Sequence, residues 1–161
     1  MSVAFRRDSD EEHKEPRFER PIPLGPNLVT RQGLAQIEAR VAELEAREDE
    51  SDAEAAEAAK RDLRYWRTRL ATAQLAPPPP EDEVAFGARV HIRMNGVDRT
   101  IDIVGDDEAD PANGRLAFTA PLARALIGSI AGDRVSFGGK PDSIKVVRTD
   151  PIGGATGQKQ H

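Results

Sequence analysis

Hydrophobic positions along this chain change period between its two halves, and the change marks two kinds of structure. From Leu34, the apolar residues Ile37, Val41 and Leu44 follow at steps of 3, 4 and 3. That spacing puts them on one stripe of a helix predicted from about Arg31 to Arg47, with Thr30 as its N-cap. After a polar break, Ala56, Ala59, Leu63, Trp66, Leu70 and Ala73 repeat at 3, 4, 3, 4 and 3, so a second helix is expected from about Asp52. Both stripes have heptad spacing, and the short linker between them requires an antiparallel return. The prediction is a coiled-coil hairpin anchored at its base by Trp66. Its seam is thin and alanine-lined near the turn, where less apolar area is buried and fraying is greater.

Past Ala76-Pro77-Pro78-Pro79-Pro80 the period becomes two. Val84, Phe86, Ala88, Val90, Ile92 and Met94 alternate with other residues, and Asn95-Gly96 supplies a two-residue hairpin turn. Val97, Ile101 and Ile103 are predicted on one face of the return strand. Leu116-Ala117-Phe118 reads as a short strand. Thr119 then reads as the N-cap of a helix with Pro121 in its first turn and Gly128 at the left-handed C′ position. A turn at Ala131-Gly132-Asp133 precedes a strand from Val135 to Phe137. Gly138-Gly139 and Pro141-Asp142 lead to a last strand, Ser143 to Val147. The fold class is α+β, a helical hairpin followed by a small twisted sheet packed with one short helix.

The domain boundaries follow from composition. Residues 1–26 carry five basic residues, six acidic residues and four prolines, and read as a disordered charged tail. Residues 27–75 are the hairpin, 76–83 a semi-rigid polyproline II spacer, 84–149 the β-rich domain and 150–161 a Gly-rich flexible tail. The whole chain has 161 residues and a net charge of −5, which argues against generic nucleic-acid binding through a basic face. No apolar run is long enough to span a membrane, Met1 to Phe5 lack a secretory h-region, and there are no cysteines, so a cytoplasmic location is expected. His13, His91 and His161 have no ligand spacing, and no metal of the protein's own is expected.

Charge is polarised along the hairpin. Glu48, Asp49, Glu50, Asp52, Glu54 and Glu57 form an acidic turn without a base. Lys60, Arg61, Arg64, Arg67 and Arg69 follow with only Asp62 opposing them. Solvated helix faces, with acids favouring the N-terminus of the second helix, explain this pattern without any ligand.

The stretch from Ile103 to Gly128, IVGDDEADPANGRLAFTAPLARALIG, carries the densest pattern. It resembles the signature of the Gre family of bacterial transcription factors: an Ile103-Val104-Gly105 step, an acidic loop Asp107-Glu108-Ala109-Asp110, and a helix with Pro121, Leu122, Ala123, Arg124, Leu126, Ile127 and Gly128. Val84-Ala85-Phe86-Gly87 and Asn27-Leu28-Val29-Thr30-Arg31-Gln32-Gly33 agree as well, in the same order. The resemblance spans roughly Asn27 to Val147.

It implies an FKBP-like domain that grips the rim of the secondary channel of RNA polymerase, and a coiled coil that enters the channel. Asp107, Glu108, Thr119, Pro121, Leu122 and Arg124 would then bind the polymerase. Asp49 and Asp52, with Glu50 and Glu54 beside them, would help hold a Mg ion shared with the polymerase active site during hydrolysis of backtracked RNA. Lys60, Arg61 and Arg64 would face the phosphates of the nascent RNA 3′ segment. The protein would act as a monomeric accessory factor, without a stably bound cofactor and without an enzymatic activity of its own.

Two departures bear on cleavage. The predicted arms of 16–22 residues reach only about 24–33 Å, whereas Gre arms are several turns longer. The tip offers Asp49-Glu50-Ser51-Asp52-Ala53 in place of the family's Gly-Asp-x-x-Glu-Asn-Ala. A short-armed occupant that tunes or inhibits the polymerase without cleavage is therefore the alternative, and a coiled-coil adaptor for another protein is a third. A prolyl isomerase would need an aromatic-lined pocket, and this domain holds only Phe86, Phe118 and Phe137.

Overall fold

The computed structural model describes residues 19–47 and 52–153. In chain order its elements are β1 (Leu28–Val29), α1 (Arg31–Glu45), α2 (Ala53–Thr72), β2 (Gln74–Leu75), β3 (Ala88–Met94), β4 (Val97–Val104), a 3-10 turn (Pro111–Asn113), β5 (Arg115–Ala117), α3 (Pro121–Leu126), β6 (Arg134–Phe137) and β7 (Lys140–Pro151). The fold is α+β, as the change of period requires. The described residues form two compact units. One comprises the arm up to Gly25 with Ile37–Thr72, and the other comprises Pro26–Gln36 with the chain from Ala73 onward.

In the helical unit Ile37, Val41 and Leu44 are buried, as their spacing predicts. The Arg40 guanidinium lies 5.9 Å from the Trp66 ring centroid, and Arg67 pairs with Glu45 at 2.9 Å, so the second half of α1 runs beside the C-terminal half of α2. Arg67 stands some 14 residues into α2, roughly 21 Å along its axis. Two side chains cannot span all of that distance, so the first turns of α2 continue past the end of α1.

The seam of α2 differs from expectation. Trp66 is only half-buried, and Tyr65 is the buried aromatic, its ring edge-on to Trp66 at 5.0 Å. Tyr65 and Arg69, one turn apart, are both buried, with the Arg69 guanidinium 6.0 Å from the Tyr65 ring centroid. Arg20 stacks over Tyr65 at 4.0 Å. Arg69 is 1% exposed, so it does not belong among the solvated bases.

In the β unit the five strands run in the order β5-β4-β3-β7-β6, antiparallel except for the parallel β4–β5 pair. Burial alternates along β3, with Ala88, Val90 and Ile92 inward, as period two demands. Asn95 (φ 54°) and Gly96 (φ 80°) make the β3–β4 turn with both residues left-handed, the conformation Asn-Gly favours. Val90, Ile92, Ile101, Ile103, Ile144 and Val146 meet Ala123 and Leu126 of α3 in one core, sealed by Val84. Val84 is not in a strand. It bonds residues 128 and 129 through its carbonyl and amide, at 2.8 Å each, and so pins the end of α3.

Three further strand expectations need correction. Val97 is 58% exposed, because the tip of the β3–β4 hairpin projects beyond the core. Phe118 lies just outside β5 and packs edge-on against Phe86 at 5.4 Å. The last strand is more than twice the expected length and contains Asp150 and Pro151, so the proposed flexible tail does not start at Asp150. Its extension past Val147 follows from a bulge: His91 pairs with Arg148 while Ile92 pairs with Val146, leaving Val147 over. The bulge resets the alternation so that Thr149 faces inward again and the strand continues. On the outer face Arg89 and Asp102, directly opposite in register, form a bidentate pair at 2.7 and 2.9 Å.

Candidate functional site

The Ile103–Gly128 signature is one structural device. Ile103 and Val104 end β4 in the core, and Gly105 follows because the Leu28 carbonyl of β1 leaves no room for a Cβ. The chain then turns through Asp106 to Asp110. Asp110 exchanges backbone hydrogen bonds with Arg115 at 2.7 and 3.1 Å, and its carboxylate accepts from the Asn113 amide at 2.7 Å. Gly114 (φ 77°) reverses the chain into β5, which pairs in parallel with β4.

Thr119 does not cap α3. The N-cap is Ala120, which makes no side-chain capping bond, and the Thr119 hydroxyl instead donates to the Asp106 carboxylate at 3.0 Å. The physical reason is the loop: a carboxylate within reach outcompetes the helix's first N–H groups for the hydroxyl. This bond joins the acidic loop to the segment that enters α3. Pro121 and Arg124 are exposed there, Leu122 and Asp107 are half-buried, and Ala123 and Leu126 face the core. Gly128 takes the expected left-handed C′ conformation at φ 96°.

Glu108 stands apart from the other residues assigned to polymerase. It is 7% exposed, and its carboxylate accepts a 2.6 Å hydrogen bond from the Thr30 hydroxyl. That hydroxyl in turn accepts from the Gly33 N–H at 2.9 Å, so Thr30 is the N-cap expected of α1. Glu108 thereby completes a cap from 78 residues away, its negative charge at the positive end of α1. An ideal Cβ on Gly33 would meet Glu108 Oε1 at 2.7 Å, which accounts for the glycine inside the helix. Sequence spacing does not reveal this pairing, because the partners are so far apart along the chain.

In the helical unit, Asp49 and Glu50 lie outside the described residues. Asp52 is exposed and caps α2, its carboxylate accepting from the Glu54 N–H at 3.2 Å, and Glu54 is exposed beside it. Among the described residues no group of three or more acidic or histidine side chains is arranged to hold a metal. Asp52 and Glu54 carry hard oxygen donors of the type Mg takes. Of the predicted RNA-facing bases, Lys60 is exposed and Arg61 half-buried. Arg64 is held by Glu19 in a two-pronged ion pair, with Nη2 to Oε2 at 2.7 Å and Nε to Oε1 at 3.0 Å.

A curled sheet closed by one short helix, with an acidic loop laced to the helix's approach, defines a class of small domain. The family model for the C-terminal domain of the transcription elongation factors GreA/GreB matches residues 79–147. Over that stretch the chain is similar to the C-terminal domain of the Gre factors. It is 37% identical over 98 residues to the transcription elongation factor GreA of Vibrio cholerae, covering 60% of this chain and 62% of that protein. It is 39% identical over 79 residues to GreB of Neisseria meningitidis serogroup A, covering 47% and 48%. The chain thus spans less than two thirds of the length of these relatives. A solved GreA/GreB factor from Nitrosomonas europaea aligns with 76% of this chain and 98% of its own, at 18% identity and a TM-score of 0.39.

Proposed function

We propose that this protein binds RNA polymerase core at the secondary channel through its β domain and regulates transcription elongation with its helical hairpin. The match of residues 79–147 to the GreA/GreB C-terminal domain carries this reading. The contact surface is Asp107, Thr119, Pro121, Leu122 and Arg124. Glu108 is assigned to holding the base of α1 instead, since its carboxylate is already taken. Mg shared with the polymerase, when bound, would activate water for hydrolysis of backtracked RNA. Asp49 and Asp52 would orient that water, and the protein has no catalysis of its own.

The length of the arms favours a second reading, that of a channel occupant without cleavage activity. α1 has 15 residues and α2 has 20, or about 22 and 30 Å. Incubation with backtracked elongation complexes separates the two readings. RNA shortening above the polymerase's intrinsic rate, abolished by Asp49→Ala and Asp52→Ala with binding intact, establishes cleavage. Binding without shortening establishes occupancy. Purified protein that does not associate with polymerase core at all overturns both.

A further inference from the structure

The arm that precedes the hairpin docks on α2. Glu19 and Arg20 meet little more than one turn of the helix's surface: Glu19 pairs with Arg64 at 2.7 Å, Arg20 pairs with Asp62 at 3.2 Å, and the Arg20 guanidinium lies 4.0 Å from the Tyr65 centroid and 5.7 Å from that of Trp66. These contacts have different chemistry and divide the work. The stacked Arg20 covers Tyr65, which is 7% exposed, and so anchors the arm. Glu19 is left to place a carboxylate on a guanidinium fork, in the two-pronged geometry with which arginine also binds a phosphate. Arg64 belongs to the basic run that starts at Lys60. A phosphate approaching that run finds one of its guanidinium forks occupied by the protein's own anion.

We infer that the N-terminal arm is a tethered competitor that masks the basic face of α2 from RNA. This rests on the reading of Lys60, Arg61 and Arg64 as the RNA-facing residues. Tethering makes the competition intramolecular, so a weak surface ion pair suffices to lower RNA affinity without any other partner. The gain from removing one such pair is modest, about three- to fivefold.

Fluorescence anisotropy of labelled single-stranded oligouridine at low salt tests this on the full chain, with Glu19→Gln, Arg64→Gln and the double variant. Glu19→Gln should tighten binding about three- to fivefold, and the gain should vanish when Arg64 is also replaced. Arg20→Ala, which releases the anchor and leaves Glu19 intact, should tighten binding in the same direction and speed amide exchange around residues 61–66. Equal RNA affinity of wild type and Glu19→Gln overturns the inference. So does a gain that persists without Arg64, or a failure of every form to bind RNA. Association with polymerase core is measured on the same proteins. Intact association with unchanged RNA affinity removes the mask alone. Absent association with the Glu19→Gln gain intact removes the channel reading and leaves the mask standing.

Discussion

A methyl group on Gly105 would collide with the carbonyl oxygen of Leu28, and that oxygen belongs to backbone that cannot swing aside. Gly105→Ala should therefore destabilise the β unit by about 1–3 kcal/mol, the usual cost of overpacking, as read from urea denaturation. Thr30→Val keeps the shape of the side chain and deletes both of its hydrogen bonds. It removes the α1 cap and leaves the buried Glu108 carboxylate short of a donor, for a combined loss of about 1–3 kcal/mol by the same measurement. Little change on Thr30→Val would show that Glu108 does not complete the cap. Thr30 was legible as a cap because Ser or Thr before a helical stripe is a local rule. Glu108 was not legible as its partner, because a residue type and a spacing say nothing about which loop folds over which helix end. Thr119 illustrates the converse error: the local rule named it a cap, and a nearby carboxylate took the hydroxyl.

At the level of elements, the inward stripe of α1 was readable from period alone, and its test is direct. Ile37 is 1% exposed, so Ile37→Ala should lower stability by about 2–4 kcal/mol. The stripe of α2 was only half readable. Heptad spacing found the face turned to α1 but not buried Tyr65, because Arg20, which stacks on it, lies in a segment that reads as a polar tail. That docking has a definite pH response. The Arg64 hydrogen bonds, aided by the charges of Arg64 and Arg61, hold the Glu19 carboxyl below its ordinary value of 4.5. The docked state is therefore fully supported above about pH 4.5 and loses that support as the pH falls through the lowered value. A carbon-detected NMR titration should find Glu19 protonating below the ordinary glutamate value and moving back toward it in Arg64→Gln. The length of β7 was hidden for a different reason: the bulge at Val147 breaks the two-residue period, so the pattern stops where the strand only changes phase.

Taken whole, the chain showed its class and its signature early, because period, turn chemistry and a dense motif all agreed on the β unit. Reach and register were not legible, since they depend on where α1 stops against α2. At this scale the prediction concerns depth. If occupancy is the correct reading, lengthening both arms by two matched heptads and supplying the family's tip residues should convert the protein into a cleavage stimulator, scored as RNA shortening in backtracked complexes. The pairing of β1 with β2 makes that surgery feasible. Leu28 lies beside Gln74 and Val29 beside Leu75, so the chain leaves the β unit and returns to it through two neighbouring, hydrogen-bonded points. Everything between them is topologically a cassette inserted into a closed socket. Replacing residues 37–72 with a short turn should leave a soluble, cooperatively melting β module, and rods of other lengths can be plugged into the same pair of strands.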